Sequence, residues 1–259
     1  MSGRSRARDR GRGKSGGAAE WTPWAALGGQ WWDAAEGTTG SPVSAWAARG
    51  GAATATQGTV ANQPAAPATN VNLGGEFASA FDGTDTVVSG TALDMSAAWT
   101  VATVLRFGSL RSHTGVFRLS AGELTGADGL ALYADSTGRL NVASADASAW
   151  YRLGPTSTVA SNTSYAILAT CSGSSASIVL QVGTISGGSI TWSTVTLGSL
   201  VGTFAMPAAS GRFVQPGGGW AAVSSRLVGD LALTGGVGRV ISAGEETTLK
   251  GYLSGRFAL

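Results

Sequence analysis

The sequence has few charged residues, a single histidine, a single cysteine and no long apolar run. Only 12% of its 259 residues are charged, whereas 40 are glycine and 43% are hydrophobic. Few charges and many glycines argue against long solvated helices and favour short strands joined by turns. Nine tryptophans and seven phenylalanines can fill a core, which separates the chain from disordered proteins. The length suits one large all-β domain or two small ones.

The single cysteine excludes an internal disulfide. Cys171 ends the apolar run 165–171, so we predict a buried core thiol rather than a nucleophile. No apolar run reaches the roughly 18 residues that span a bilayer, and we expect no membrane insertion. The basic N-terminus is not followed by an apolar stretch, so we do not expect a secretory signal.

Residues 1–19 form a basic arm. Its six basic residues and one aspartate give the arm a charge of +5, and the chain total of +2 leaves −3 for the remainder. The basic residues are Arg4, Arg6, Arg8, Arg10, Arg12 and Lys14. Such a run is usually a solvated extension, but we predict that it anchors the protein on a partner in an assembly. Nucleic acid is the less favoured partner, because the arm has no aromatic residue to stack on bases.

Residues 20–75 form a lead-in that is rich in tryptophan at first and in turn residues later. The tryptophans are Trp21, Trp24, Trp31, Trp32 and Trp46. Exposed tryptophan at this density would be a liability, so we expect most of them to pack on the β body or on a neighbour. We predict that Trp21 and Trp24 add apolar contact to the anchoring arm. Residues 53–64 contain few strand formers, and we expect them to cross the surface as extended chain.

Residues 76–107 carry the clearest strand pattern. Phe77, Ser79 and Phe81 alternate along one predicted strand. Asp82-Gly83 indicates a turn, and residues 87–88 are predicted to form a short return strand. Residues 99–107 alternate again, with the β-branched and aromatic residues of a long strand against a core. Further strand candidates follow at the spacing typical of a sandwich. They are 115–120, 129–133, 139–142, 150–153, 165–171, 177–182, 190–197, 212–214 and 227–233.

The C-terminal residues predict a short helix. Ser242 and Glu245 have the spacing of a capping box. Leu249, Tyr252 and Leu253 then recur at helical spacing. Glu246 joins Glu245 near the helix N-terminus, where carboxylates favour the helix dipole. We predict a helix of about three turns that closes the sandwich.

Three stretches resemble the concanavalin A-like lectin/glucanase domain, a laminin-G-like jelly roll, in the version found in bacteriophage virion proteins. They are Trp-Asp, Gly-Thr-Thr-Gly and Val-Ser-Ala-Trp within 29–46, Phe-Asp-Gly-Thr-Asp with the strand after it within 81–107, and Gly-Asp-Leu-Ala, Ser-Ala-Gly-Glu and Leu-Lys-Gly-Tyr-Leu within 229–253. The resemblance covers roughly 29–257, although the middle matches only in the spacing of its strand candidates. Leu233 stands where the family usually has an acidic residue. The resemblance implies an all-β, antiparallel two-sheet jelly-roll sandwich over 76–259 with parts of 29–75, an extended N-terminal arm and a short C-terminal helix.

The same resemblance implies a bacteriophage virion structural protein on the particle surface. A capsid decoration or head-fibre subunit and a tail-fibre or baseplate subunit both fit, with the sandwich serving adhesion to host glycans or particle assembly. The expected partners are other virion proteins, further copies of the chain and host surface glycan. We expect synthesis in the host cytoplasm and a final location in the virion. The alternative is a carbohydrate-binding module of a bacterial extracellular protein.

Catalytic residues are not evident in the sequence. Glucanases of this fold carry a Glu-x-Asp-x-x-Glu triplet, which places acid and nucleophile on one strand, and no such triplet occurs here. His113 lies in a polar stretch without a second histidine for a metal site or a Ser/His relay, so we expect an exposed loop residue. We therefore expect no enzymatic activity and no cofactor.

Aromatic residues beside polar groups are the candidates for sugar binding. They are Trp150, Tyr151, Trp192 and Trp220. Packing in the core or at an interface is the commoner role of tryptophan, but three glycines before Trp220 predict an exposed loop tip. Calcium is the one metal that the sequence leaves open, through Asp82 and Asp85. Two carboxylates cannot fill the six to eight oxygen ligands of calcium, and aspartate in a Gly-containing turn is the simpler interpretation.

Overall fold

A computed structural model describes most of the chain. The described residues are 21–51, 53–120, 129–144, 150–151, 159–196, 200–201, 206–207, 211–218 and 226–258. The basic arm and Trp220 lie outside these ranges, so the predictions made for them remain predictions. Neither α-helix in the described part has the length and apolar character needed to cross a membrane.

Strands dominate the described residues, with one α-helix near each end. The helices are α1 (Pro23–Leu27) and α2 (Ala243–Phe257), and the strands are β1 (Gln30–Asp33), β2 (Thr38–Thr39), β3 (Ala45–Ala47), β4 (Thr54–Thr56), β5 (Ala68–Asn70), β6 (Glu76–Asp82), β7 (Val88–Ser89), β8 (Trp99–Phe107), β9 (Thr114–Ser120), β10 (Gly129–Ala134), β11 (Leu140–Ser144), β12 (Trp150–Tyr151), β13 (Thr163–Cys171), β14 (Val179–Ser186), β15 (Ser189–Val195), β16 (Leu200–Val201), β17 (Phe213–Pro216) and β18 (Val228–Val237). Three short 3-10 turns lie at Val60–Asn62, Val71–Leu73 and Ser175–Ser177.

Two antiparallel sheets form the sandwich. The large sheet runs β15-β14-β13-β8-β18-β6-β5, and the small sheet runs β11-β10-β9-β17. One edge of β18 is shared, because β6 pairs with its first half and β1 with its second half. The prediction of an all-β two-sheet sandwich with a short C-terminal helix is confirmed.

A third, smaller sheet corrects two expectations about connections. It runs β2-β3-β4-β7. The return strand predicted after Asp82-Gly83 is β7, but it pairs with β4 rather than with β6. The Asp82 and Asp85 side chains accept backbone hydrogen bonds within the connecting loop and fix its course away from β6. Residues 53–64, expected as extended surface chain, contain β4, whose Ala55 is fully buried.

Both faces of the central strands of the large sheet are buried. Trp99, Val101, Leu105 and Phe107 of β8 face the small sheet in the main core, which also holds Cys171, so the prediction of a buried thiol is confirmed. The other face of the sheet packs under α2. Its apolar side chains are Leu249, Leu253 and Phe257 of the helix against Ala102, Val104, Ala166, Leu168 and Ala232 of the strands. The helix therefore forms a third layer outside the large sheet and does not close the space between the two sheets.

Polar contacts fix both ends of α2. At its N-terminus, Ser242 and Glu245 form the predicted capping box, and Arg239 binds the Glu245 carboxylate at 2.7 and 2.9 Å. At its C-terminus, Arg256 donates to both carboxylate oxygens of buried Asp33. Burial lowers the pKa of Arg256, but the Asp33 carboxylate outweighs it and raises this pKa above its ordinary value. The helix spans 15 residues, about four turns rather than three.

Candidate functional site

A pocket of about 390 Å³ opens at one end of the large sheet, beside the C-terminal end of α2. Four segments line it. They are the turn at 71–74, the start of β13 with the residue before it (162–164), the β14–β15 connection (184–188), and residues 257–258. The pocket lies within the range of volumes that small-molecule sites commonly have.

Local sequence explains the shape of these walls. Asn70 caps the 71–73 turn, because its Oδ1 accepts from the backbone N–H of Asn72 at 3.0 Å. Asn162 has a left-handed backbone with φ of 58°, which asparagine tolerates better than most residues. Gly187 and Gly188 both have positive φ, as a tight two-residue hairpin between β14 and β15 requires.

One pocket residue is a buried hydroxyl without a partner. Ser164 is only 3% exposed, lines the pocket, and its Oγ makes no hydrogen bond in the structure. A buried polar group that lacks a partner costs about 1–3 kcal/mol, so an unpartnered hydroxyl at a pocket wall needs a physical explanation.

The rest of the lining that the structure describes has amide, hydroxyl and apolar groups and no charged side chain. Asn72, Asn162, Thr163 and Thr184 supply amide and hydroxyl groups, whereas Val71, Ile185 and Phe257 supply apolar surface. Val71 is 86% exposed, so an apolar side chain stands free at the rim. This combination can hydrogen-bond the edge of a polar ligand and pack against its apolar face.

A polar network lies directly behind the pocket. Arg106 is the cross-strand partner of Ser164, and its Nη2 donates to Asn162 Oδ1 at 3.0 Å. Arg106 Nη1 pairs with Asp230 Oδ2 at 3.4 Å, and the same oxygen accepts from Asn70 Nδ2 at 2.8 Å. The Arg106–Asp230 pair therefore connects the 71–74 wall to the 162–164 wall.

Trp192, the one predicted sugar-binding residue whose side chain the structure describes, does not line this pocket. Trp192 is half-buried on β15, lies against Gly183 of β14, and has Lys250 Nζ 5.1 Å from its ring centroid. It packs between the sheet and α2 rather than standing free. Trp150 and Tyr151 form β12, paired with β16, but their side chains lie outside the described part of the structure.

The residues predicted to anchor the protein are only partly described. Trp21 and Trp24 are half-buried and lie 5.7 and 6.4 Å from the Tyr252 ring, so α2 already provides their contact. Arg49 adds a cation–π contact to Trp24 at 5.5 Å.

His113 is half-buried rather than exposed, with its ring 5.0 Å from that of Tyr133.

Asp82 and Asp85 organise a loop in this structure. The Asp82 carboxylate accepts from the backbone and hydroxyl of Thr84, and these bonds lower its pKa. Asp85 accepts from the Asp82 N–H, and burial raises the pKa of Asp85 to about 6. Among the described residues, no three His, Cys, Asp or Glu side chains cluster as metal ligands.

The pocket was not found from the sequence. Its walls come from segments near 70, 162, 186 and 257, and no local motif links them. The only local signals were Gly187-Gly188, which marks a hairpin, and Asn162 before a strand. These predict turns but do not predict that the turns meet.

Comparisons with known proteins find similarity in structure only. No protein-family model and no curated protein sequence matches the chain. Trypanosoma rangeli sialidase in complex with 2,3-difluoro-KDN is 13% identical, with a TM-score of 0.53 over 85% of this chain and 32% of the sialidase. A mutant GH54 α-L-arabinofuranosidase soaked with 4-nitrophenyl α-L-arabinofuranoside is 12% identical, with a TM-score of 0.57 over 83% of this chain and 51% of the enzyme.

These neighbours correct one expectation. The expectation of no enzymatic activity is contradicted, because the neighbours are glycoside hydrolases. The expectation relied on the absence of one carboxylate triplet and on the isolated His113, which test for only a few catalytic arrangements. The chain spans about one third of the length of the sialidase chains that it matches. At this identity the likeness shows the fold alone: the chain is a β-sandwich of a kind that occurs in carbohydrate-active proteins.

Proposed function

We propose that the protein recognises carbohydrate and that the pocket beside the end of α2 binds the sugar. The observation that carries the proposal is Ser164, a buried hydroxyl without a partner on the wall of an open pocket. A bound hydroxyl group would supply the missing hydrogen bond. Folding would otherwise favour alanine at this position, because alanine removes the desolvation cost.

Sugar fits the rest of the lining. A pyranose or furanose ring carries hydroxyl groups around its edge and C–H groups on its face. The amides and hydroxyls of Asn72, Asn162 and Thr184 suit the edge, and Val71 suits the face. The β-sandwich neighbours are proteins that act on sugars, which supports this class of ligand.

The test compares two buried serines. Ser164→Ala and Ser79→Ala each remove a hydroxyl that is buried and has no partner, but Ser79 does not line the pocket. We expect neither change to lower the melting temperature substantially. We expect Ser164→Ala to weaken sugar binding about five- to tenfold, as for one lost hydrogen bond, and Ser79→Ala to leave binding unchanged.

Binding is measured by calorimetry and ligand-observed NMR against a panel of neutral and acidic mono- and oligosaccharides. The same panel includes 4-nitrophenyl glycosides, so that release of nitrophenol reports any turnover. The proposal is wrong if no sugar binds at millimolar concentration, or if Ser164→Ala and Ser79→Ala bind equally well.

The sequence resemblance supports a virion location for this activity. We propose that the arm, residues 1–19, attaches the protein to a bacteriophage particle and that the sandwich faces host glycan. The charge of +5 in the arm against −3 in the remainder supports attachment through the arm. Removing 1–19 should leave a folded sandwich that no longer joins purified particles. Full incorporation without the arm would place the attachment elsewhere.

A further inference from the structure

We infer that the pocket prefers uncharged sugars to acidic ones, and that Asp230 sets this preference by compensating the charge of Arg106. This inference rests on the proposed function, since it assigns the class of sugar that the same pocket takes. It names Asp230 as a specificity-determining residue that does not itself line the pocket.

Among the described residues that line the pocket, none has a charged side chain. Its polar groups are amides, hydroxyls and backbone groups, and Arg106 lies immediately behind them. Arg106 contacts one lining residue, Asn162, and is paired across the sheet with another, Ser164. Its Nη2 lies 3.0 Å from Oδ1 of the lining residue Asn162, so the guanidinium is next to the pocket wall.

Asp230 neutralises this guanidinium on the side away from Asn162. It pairs with Arg106 Nη1, and both side chains are only about one-fifth exposed. A carboxylate entering the pocket would therefore lose hydration and find a cation that is already paired. Desolvating a charge without such compensation is unfavourable. An uncharged sugar does not incur that cost.

A second arginine near the pocket, Arg256, is also compensated. Arg256 precedes the lining residue Phe257, but its guanidinium binds Asp33 at 2.8 and 2.5 Å and Glu76 at 2.9 Å. Two carboxylates thus face this one cation, which leaves no excess positive charge at the helix end to attract an acidic sugar.

Replacing Asp230 with asparagine removes the negative charge and keeps nearly the same side-chain shape. The asparagine side chain retains an oxygen that can accept from Asn70 and Arg106, so the two walls stay joined. The charge of Arg106 is then uncompensated beside the pocket. At the effective dielectric constant of a protein surface, we expect the affinity for an acidic sugar to rise roughly tenfold and that for its neutral counterpart to change less than about twofold.

The experiment uses matched pairs of methyl glycosides that differ only in a carboxylate at C6: glucose with glucuronate, galactose with galacturonate, and mannose with mannuronate. Dissociation constants are measured for the full chain, for Asp230→Asn and for Asp94→Asn. Asp94 is an exposed loop aspartate bonded to Ser96, so this variant makes the same change in net charge away from the pocket.

The supporting result has three parts. The unmodified protein binds the neutral member of a pair more tightly, Asp230→Asn shifts the ratio toward the acidic member, and Asp94→Asn does not. The shift should shrink in 0.5–1 M salt, because screening weakens charge interactions at that ionic strength. A purely structural role for Asp230 would weaken both members equally.

Two negative results are distinguishable. If both members of every pair bind equally and Asp230→Asn leaves the ratio unchanged, the charge preference is refuted while sugar recognition stands. If no neutral or acidic sugar binds any of the three proteins, sugar recognition in this pocket is refuted and the preference with it.

Discussion

Replacing Leu253 with alanine tests whether α2 is an integral layer of the fold. Leu253 is fully buried in the cluster between α2 and the outer face of the large sheet. Removing a buried leucine side chain costs about 2–5 kcal/mol, and the upper part of this range applies where the surroundings cannot collapse into the cavity. Both ends of α2 are fixed, by the Ser242 cap and by the Arg256–Asp33 pair. We therefore expect a loss of about 3–5 kcal/mol in the free energy of unfolding.

Gly251, two residues before Leu253, provides a control variant that should raise the free energy of unfolding instead of lowering it. Gly251 is exposed in the middle of α2, and a Cβ built there would meet no atom within 4 Å. Gly251→Ala should stabilise the protein by about 0.5–1 kcal/mol, because alanine has the higher helix propensity.

Urea unfolding followed by tryptophan fluorescence and by circular dichroism measures both variants, and the slope with denaturant checks that each unfolds as one unit. The reasoning is refuted if Leu253→Ala costs less than about 1 kcal/mol while Gly251→Ala stabilises as expected. That outcome would mean that the helix forms but does not cover the sheet.

Three further predictions concern polar groups. Ser242→Ala removes the N-cap of α2 and should cost about 1 kcal/mol in urea unfolding; no change would mean that another group caps the helix. Asp33→Asn removes the bidentate pair with Arg256 and leaves Glu76 as its one carboxylate partner, which should cost about 2–3 kcal/mol, a loss that a double change with Arg256→Met should partly restore. Burial raises the pKa of Asp85 to about 6 from 3.8, so its contribution to stability is complete below pH 3.8 and is lost as the pH rises through 6. Asp85→Asn should therefore gain about 1–2 kcal/mol relative to the unmodified protein between pH 4 and pH 7, and parallel stability profiles would contradict this assignment.

Local pattern alone determined much of the secondary structure. The alternation over 99–107 predicted β8 with its observed bounds, and the Ser242–Glu245 spacing predicted the cap that α2 has. These features could be found because side-chain direction alternates along a strand and because a capping box needs residues only three positions apart. The buried state of Cys171 followed from its apolar neighbours for the same local reason.

Only the tertiary structure decided which segments meet. β1 pairs with β18 although about 200 residues separate them, and β7 joins β4 instead of returning along β6. Backbone hydrogen bonds carry no side-chain information, so a strand pattern does not name its partner. Nor does alternation show that both faces of β8 are buried, because small residues such as Ala102 fit beneath a helix as well as at a surface.

The candidate site is one of the features that only the tertiary structure decided. Asn70, Ser164, Thr184 and Phe257 are ordinary turn, strand and helix residues in the sequence, and none carries a binding motif. The Arg106–Asp230 pair joins positions 124 residues apart, which no local period can reveal. The sequence by itself determined most of the strands after residue 76, the C-terminal helix and its cap. The pairing of distant strands determined that an unpartnered hydroxyl, two turns and a helix end would surround one pocket.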